Sequence, residues 1–434
     1  MHTRLAFAHP SRALLLLCAS CCLVAGCVAA PHAAPLRRAA NVDRLDALTP
    51  DSAAARAIAT SPRVHAAALR ADAQANRSRA VLAPPDPSIA IAIGIPIDGM
   101  GGLPVTVSIM QGLAWLLNGD ALRVAAERER DFAARELLAT ATAVAAEARG
   151  LARALAAARE ARLAGDHAWL ERSALVAIER DALALGESTP ARVSALELAA
   201  KAAREDAADA RLEEERLELA LASLLGADGI GTLEPDASTV PTLDAVTSVE
   251  IEQARVRLAR AEAVLRIAET PLGAEARAGG GLQRDLDGRE SIGGSLELTL
   301  PVFRRPLEIA ALRADALAAR ADLEEAERTT RLALRQAHGR AARLEELLQL
   351  DLGASELTVQ VRESVEHAFN LGESTRASLT DARAAAWQAR AHVARRRMEL
   401  ATAIAAIESR SAHPPEQTAR EASSNTSPGQ EPST

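Results

Sequence analysis

The chain has no tyrosine, three tryptophans and four phenylalanines in 434 residues, so aromatics make up only 2%. Lysine occurs once, at Lys201, and the four cysteines (Cys18, Cys21, Cys22, Cys27) all fall within the first 27 residues. Each scarcity excludes something. Few stacking rings, with 58 acidic against 50 basic residues and a net charge of -8, exclude a nucleic-acid partner. A single lysine followed by Ala202 and Ala203 excludes a GxxxxGK[ST] phosphate loop. There is no GxSxG, no GxGxxG and no Cys/His nucleophile pair after residue 27, so nothing reads as an enzyme. The nine histidines, His167 and His367 among them, are scattered without HxxxH spacing, and no metal or other cofactor is expected. What remains in quantity is Ala, Leu, Arg and Glu, the composition of long packed helices.

The N-terminus carries an address. Arg4 and Arg12 precede short apolar runs at 13–17 and 23–25, too short for a spanning helix but suited to a secretory signal. The segment ends Leu23-Val24-Ala25-Gly26-Cys27, which resembles a bacterial lipoprotein signal. Cleavage after residue 26 would leave Cys27 as the lipidated N-terminus and the only cysteine of the mature chain, with no internal disulfide available. The signal removes two arginines and no acids, so the mature charge falls to -10. Val28, rather than Asp, follows the cysteine, which is compatible with transport to the outer membrane.

The body of the chain repeats itself. Leu185-Gly186-Glu187-Ser188-Thr189 recurs, identical, 186 residues later as Leu371-Gly372-Glu373-Ser374-Thr375. Around each copy the same plan is expected. A helix (about 50–82; about 244–270) leads to a strand, a turn and a second strand. Isoleucine at 89, 91, 93, 95 and 97 is the clearest period-two row, and 103–111 answers it across a Gly-rich turn. In the second copy, strands about 273–283 and 292–302 flank Arg284-Asp285-Leu286-Asp287-Gly288, with Ile292, Leu296, Leu298 and Leu300 alternating with small or polar residues. Long helices about 120–183 and 306–369, each about 95 Å at ~1.5 Å per residue, run to the two Leu-Gly-Glu-Ser-Thr turns. Return helices about 190–225 and 376–408 follow, with Gly186 and Gly372 as left-handed caps and Thr189-Pro190 as a helix start.

A hairpin with an apolar row needs an apolar partner. In a soluble protein that partner is a layer of helices. In an outer membrane it is lipid, with the Ala/Ser/Gly/Thr rows facing water, and the strands are about the ~9–11 residues such a crossing needs. Four strands cannot close a barrel and open edges are not tolerated in lipid, so the membrane reading requires several chains sharing one barrel.

The duplicated order, the paired Leu-Gly-x-x-x turns leading into Ala-rich helices, and Gly293 to Phe303 ending Leu300-Pro301-Val302-Phe303 resemble the TolC-like outer-membrane efflux proteins over about residues 45–410. Arg284 to Gly288 looks most like the heavy-metal efflux (CzcC-like) branch. The resemblance implies a mainly α fold with a small β part: a homotrimeric, 12-stranded β-barrel continued by an α-helical periplasmic tunnel. It implies an exit duct of a tripartite efflux system, passing metal cations or drugs, with a periplasmic adaptor (membrane fusion protein) and an inner-membrane pump as partners. The lipid-facing strand residues would be Ile89, Ile91, Ile93, Ile95, Leu296, Leu298 and Leu300. The adaptor-docking tips would be Gly186, Glu187, Ser188, Gly372, Glu373 and Ser374. At the pore entrance the family carries two acids three positions apart; Ser378 and Asp381 stand there. Arg192 replaces the family's usual Asp at the first tip, and a rewired Arg192–Glu373 pair is expected. The other reading is a lipid-anchored periplasmic coiled-coil scaffold without a pore.

The expected organisation is then a signal peptide (1–26), a lipidated linker (27–44), a first repeat (45–226), a connector (227–248), a second repeat (249–410) and a disordered tail (411–434). Outer-membrane barrels usually carry girdles of Trp and Tyr. Here only Trp115 and Phe303 sit near strand ends, so Ile and Leu rows and the Cys27 lipid would have to position the barrel.

Overall fold

The structure, a computed structural model, describes residues 45–84, 86–93, 105–113, 119–234, 248–269, 275–285, 289–299 and 305–410. Cys27, the linker, the tail, Ile95, Leu300, Trp115 and Phe303 lie outside the described residues. In chain order the elements are β1 (Leu45–Leu48), α1 (Pro50–Thr60), α2 (Pro62–Leu82), β2 (Ser88–Ile93), β3 (Val105–Gly112), α3 (Gly119–Ala184) and α4 (Pro190–Leu225). These are followed by β4 (Ile230–Leu233), α5 (Val249–Glu269), β5 (Glu275–Arg284), β6 (Glu290–Thr299), α6 (Arg305–Asn370) and α7 (Arg376–Glu408). The duplication is visible in the bounds. Both α3 and α6 have 66 residues and start 186 residues apart, as do α4 and α7.

The four long helices form one layer in the order α4, α3, α7, α6. Packing rests on small residues. Gly150 of α3 lies so close to α7 that an added Cβ would meet the Ala405 Cβ at 2.4 Å, and Gly165 abuts Ala207 of α4. Alanines 148, 152, 154 and 158 with Leu155 join Leu217, Leu221, Leu225 and Ala401 in the main core. Ala341, Leu344, Leu400, Ile404 and Ile407 form a second core between α6 and α7. Alanine has the highest helix propensity and lets backbones approach, so a chain poor in aromatics builds tall, thin helix layers.

Two features depart from the expected plan. The helix expected at about 50–82 is two helices. Pro62 lacks an N–H and disfavours α geometry in the residue before it, and Ser61 is accordingly extended at φ -66, ψ 121. A two-stranded parallel ribbon, β1 with β4, joins a segment beside the N-terminal linker to the expected connector. It buries Leu48 and Ile230, and Arg159 of α3 donates to the Gly231 and Ile230 carbonyls. Four-residue strands are too short to show a period of two.

The second sheet is antiparallel, in the order β2-β3-β5-β6. Glycine sets its tightness. A Cβ on Gly279 would lie 2.3 Å from the Ile109 carbonyl oxygen, whereas a Cβ on Gly293 would meet nothing within 4 Å. Gly279→Val is therefore expected to break the β3–β5 pairing and abolish recovery of folded protein, while Gly293→Ala leaves recovery near wild type. Resistance to limited proteolysis checks both.

Candidate functional site

The sheet register sorts side chains onto two faces, because directly paired residues of an antiparallel sheet point the same way. Ile89, Ile91 and Ile93 pair with Ile109, Val107 and Val105. Val107 pairs with Leu282, which pairs with Ile292. Leu296 pairs with Ala278, continuing the same face, and the side chain of Leu298 lies outside those described. The opposite face carries Ala90, Ser108, Gly281 and Gly293 in one row and Ala92, Thr106, Gln283 and Ser291 in the next. Arg277 pairs with Glu297 on that face. The strands from opposite halves of the sequence thus build one continuous apolar face and one small, polar face.

Among the described residues nothing covers the apolar face. Ile91 is 65% exposed, Leu296 71% and Ile292 86%. Such a contiguous patch of large aliphatics marks a surface that meets lipid or another protein. The outer edges of β2 and β6 carry no partner strand among the described residues. No described helix is long and apolar enough to cross a membrane.

The tips lie at the far end of the long helices. Gly186 and Gly372 both have positive φ, 78° and 77°. Glu187 N–H donates to the Ala182 carbonyl and Glu373 N–H to the Ala368 carbonyl, both at 2.8 Å, closing the last helical turns in the same left-handed cap. Thr189 Oγ1 accepts from Arg192 N–H, and Thr375 Oγ1 accepts from Ser378 N–H, starting the return helices. Glu187 and Glu373 are exposed, Ser188 and Ser374 half-buried, and Leu185 and Leu371 project at the turns.

The charges around the tips are wired differently from the expected pattern. Arg192 pairs with Glu179 of α3, at 2.8 Å, rather than with Glu373. The Gly186 turn folds α4 directly back on α3, so a partner in the same repeat is the nearer one. Glu179 is 7% exposed at its side chain and also accepts from Ser188 Oγ at 2.8 Å. A buried carboxylate without a donor would be costly, and these two donors satisfy it. Asp381 is held by Arg172 of α3 at 2.5 Å, which joins the second tip to the first. Ser378 contacts Thr375 Oγ1 at 2.8 Å and so belongs to the helix cap. Glu179 and Arg172 were not singled out from the sequence. The usable signal for Glu179 is its distance from the Gly186 turn, which a helical hairpin reflects onto α4; Arg172 reaches across to α7 and has no such local signal. Arg192→Ala is expected to loosen the first tip by about 1–2 kcal/mol, less than a fully buried pair because Arg192 is largely exposed. Faster hydrogen exchange over residues 176–196 would report it.

A cleft of about 940 Å³ lies between α3 and α7. Its arginines are already committed: Arg153 to Glu408, Arg159 to Glu214 and Glu218, and Arg390 and Arg397 to Glu160. His167 stacks on Trp387 at 4.4 Å. Among the described residues no three His, Cys, Asp or Glu side chains gather as metal ligands.

A two-faced sheet on long duplicated helical hairpins defines the fold of a class of outer-membrane channels, the TolC-like fold. The chain is similar to the CmeC outer membrane channel of Campylobacter jejuni, with a TM-score of 0.65 at 13% identity over 87% of this chain and 90% of that one. It is similar to the outer membrane protein VceC of Vibrio cholerae (TM-score 0.61, 16% identity, 82% and 96% covered). The open state of the MtrE outer membrane channel of Neisseria gonorrhoeae matches with a TM-score of 0.60 at 16% identity, over 83% and 88%. At these identities the likeness is one of fold. No protein-family model matches the sequence, and no curated protein matches it.

Proposed function

We propose that the chain is one protomer of an outer-membrane exit duct. The observation that carries this reading is the uncovered apolar face built jointly by both repeats. A periplasmic scaffold would leave that face in water, at ~25 cal/mol for each Å² of apolar surface. Lipid removes the cost, but only if the free edges of β2 and β6 are also paired. Three copies side by side pair every edge and close 12 strands, with Ile and Leu rows outward and the Ser, Thr and Gly rows lining water.

The mechanism is geometric. The barrel passes solutes through lipid, and helices of 66 residues, about 99 Å long at ~1.5 Å per residue, carry the conduit across the periplasm. The tips, with Leu185 and Leu371 exposed beside Gly186 and Gly372, dock an adaptor, and an inner-membrane pump supplies the energy. Cys27 carries a lipid anchor in the outer membrane. A mature charge of -10 per chain favours cations, and metal ions or cationic drugs are the cargo this suggests.

The reading is tested by deleting the gene and measuring sensitivity to a panel of metal cations and cationic drugs. Restoration by the wild type and not by a chain carrying Ile91→Glu supports it. Unchanged sensitivity to every compound, together with recovery of the protein in the soluble periplasmic fraction, overturns it.

A further inference from the structure

The duplication fixes how two copies meet. Within the chain, α3 of the first repeat packs on α7 of the second. Shifting by the repeat length maps α3 onto α6 and α4 onto α7. The same contact made between copies therefore sets α6 of one chain against α4 of the next. The shift is visible in an ion pair near each tip. In the first repeat Arg180 pairs with Glu197; in the second, the equivalent positions hold Glu366 and Arg383, paired with the charges exchanged.

The α3–α7 contact centres on Glu160, which accepts from both Arg390 and Arg397. The equivalent positions are Glu346 on α6 and Arg204 and Arg211 on α4, so the charges recur on two surfaces that the single chain does not join. Glu346 and Arg204 are exposed and have no ion-pair partner among the described residues. Arg211 reaches Asp166 with one nitrogen and stays exposed. Apolar positions follow the same rule. Met398 and Ala405 of α7 pack against α3, and their equivalents Leu212 and Leu219 stand exposed, Leu219 at 71%. Ala164 of α3 is buried beside α7, and its equivalent Leu350 is exposed.

We infer that adjacent copies of this chain lock through Glu346 of one and Arg204 and Arg211 of the other, in the register of the internal Glu160 cluster. Leu219 of the second copy then faces Gln336 of the first in the same register as Ala405 and Gly150, at a wider separation because both side chains are larger. This rests on the duct reading and deepens it by naming the residues that join the protomers. A like-charge contact at such a site costs heavily, and an opposite-charge contact fixes register.

The full-length chain carrying Gln336→Cys and Leu219→Cys, expressed in the outer membrane, tests the register. At the internal equivalent a Cβ on Gly150 would overlap the Ala405 Cβ, so the wider spacing that Gln336 and Leu219 require moves this pair toward the ~3.5–4.5 Å Cβ separation of a disulfide. The expected result is a disulfide-linked ladder ending at three chains on non-reducing gels, absent from either single variant and from the wild type. Separately, Glu346→Arg should lower trimer recovery about tenfold, and adding Arg204→Glu should restore it. A trimeric wild type whose cysteine pair stays unlinked, and whose charge reversal is not rescued, overturns the register and leaves the duct reading standing. A monomeric wild type overturns both.

Discussion

Ile91→Glu, Ile93→Glu and Leu296→Arg are each expected to abolish assembly in the outer membrane, while Ala92→Ser and Thr106→Ser are tolerated. The first three side chains share the apolar face, and the last two share the opposite one. A basic side chain on the lipid side of a barrel strand costs about 2–4 kcal/mol near the midplane and an acidic one less, and in the proposed trimer the cost is borne three times. A soluble scaffold responds differently. The same positions are exposed in the single chain, so a charge there would be neutral or would improve solubility. Membrane fractionation after expression separates the two. Normal assembly of all three charged variants would mean that the face does not meet lipid.

In the proposed duct, Asp381→Ala or Arg172→Ala is expected to raise resting conductance several-fold. Arg172 and Asp381 form the ion pair nearest the tips that joins the two repeats. Its partners lie on α3 and α7, so while it is closed the second hairpin cannot swing outward without breaking a charge-assisted bond. Asp381 is 58% exposed, so solvent weakens the pair, and one such latch per chain acts as a bias rather than a lock. The charge exchange Arg172→Asp with Asp381→Arg should return conductance toward wild type. Equal conductance in all variants would assign the pair to packing alone. Arg192→Ala, which disturbs only a contact within the first repeat, should change conductance less.

Much of the architecture is written in local patterns. The Ile rows fixed which strand residues share a face, and pairing then joined Ile91 to Val107 and Leu282 across repeats. The long helices end where the Gly turns require, because Gly186 and Gly372 take φ values that other residues avoid. Contacts between distant segments were not legible. The β1–β4 ribbon joins residues 185 apart through strands of four residues, and neither shows a period. The Ser61-Pro62 break does not show in the hydrophobic period, because Ala and Val keep their helical spacing through it. Arg192 has several acids within reach in sequence, and only the fold of α4 onto α3 selects Glu179. The scarcity of aromatics has a structural counterpart in helix contacts made by Gly150, Gly165 and rows of alanine, where a ring would not fit.

The most direct test of the duct is single-channel recording of the purified full-length protein in planar lipid bilayers. The expected result is discrete current steps of uniform size, cation-preferring, from a species that sizes as a trimer. A folded protein that inserts without conducting, or that remains a monomer in detergent and leaves the bilayer silent, would contradict it.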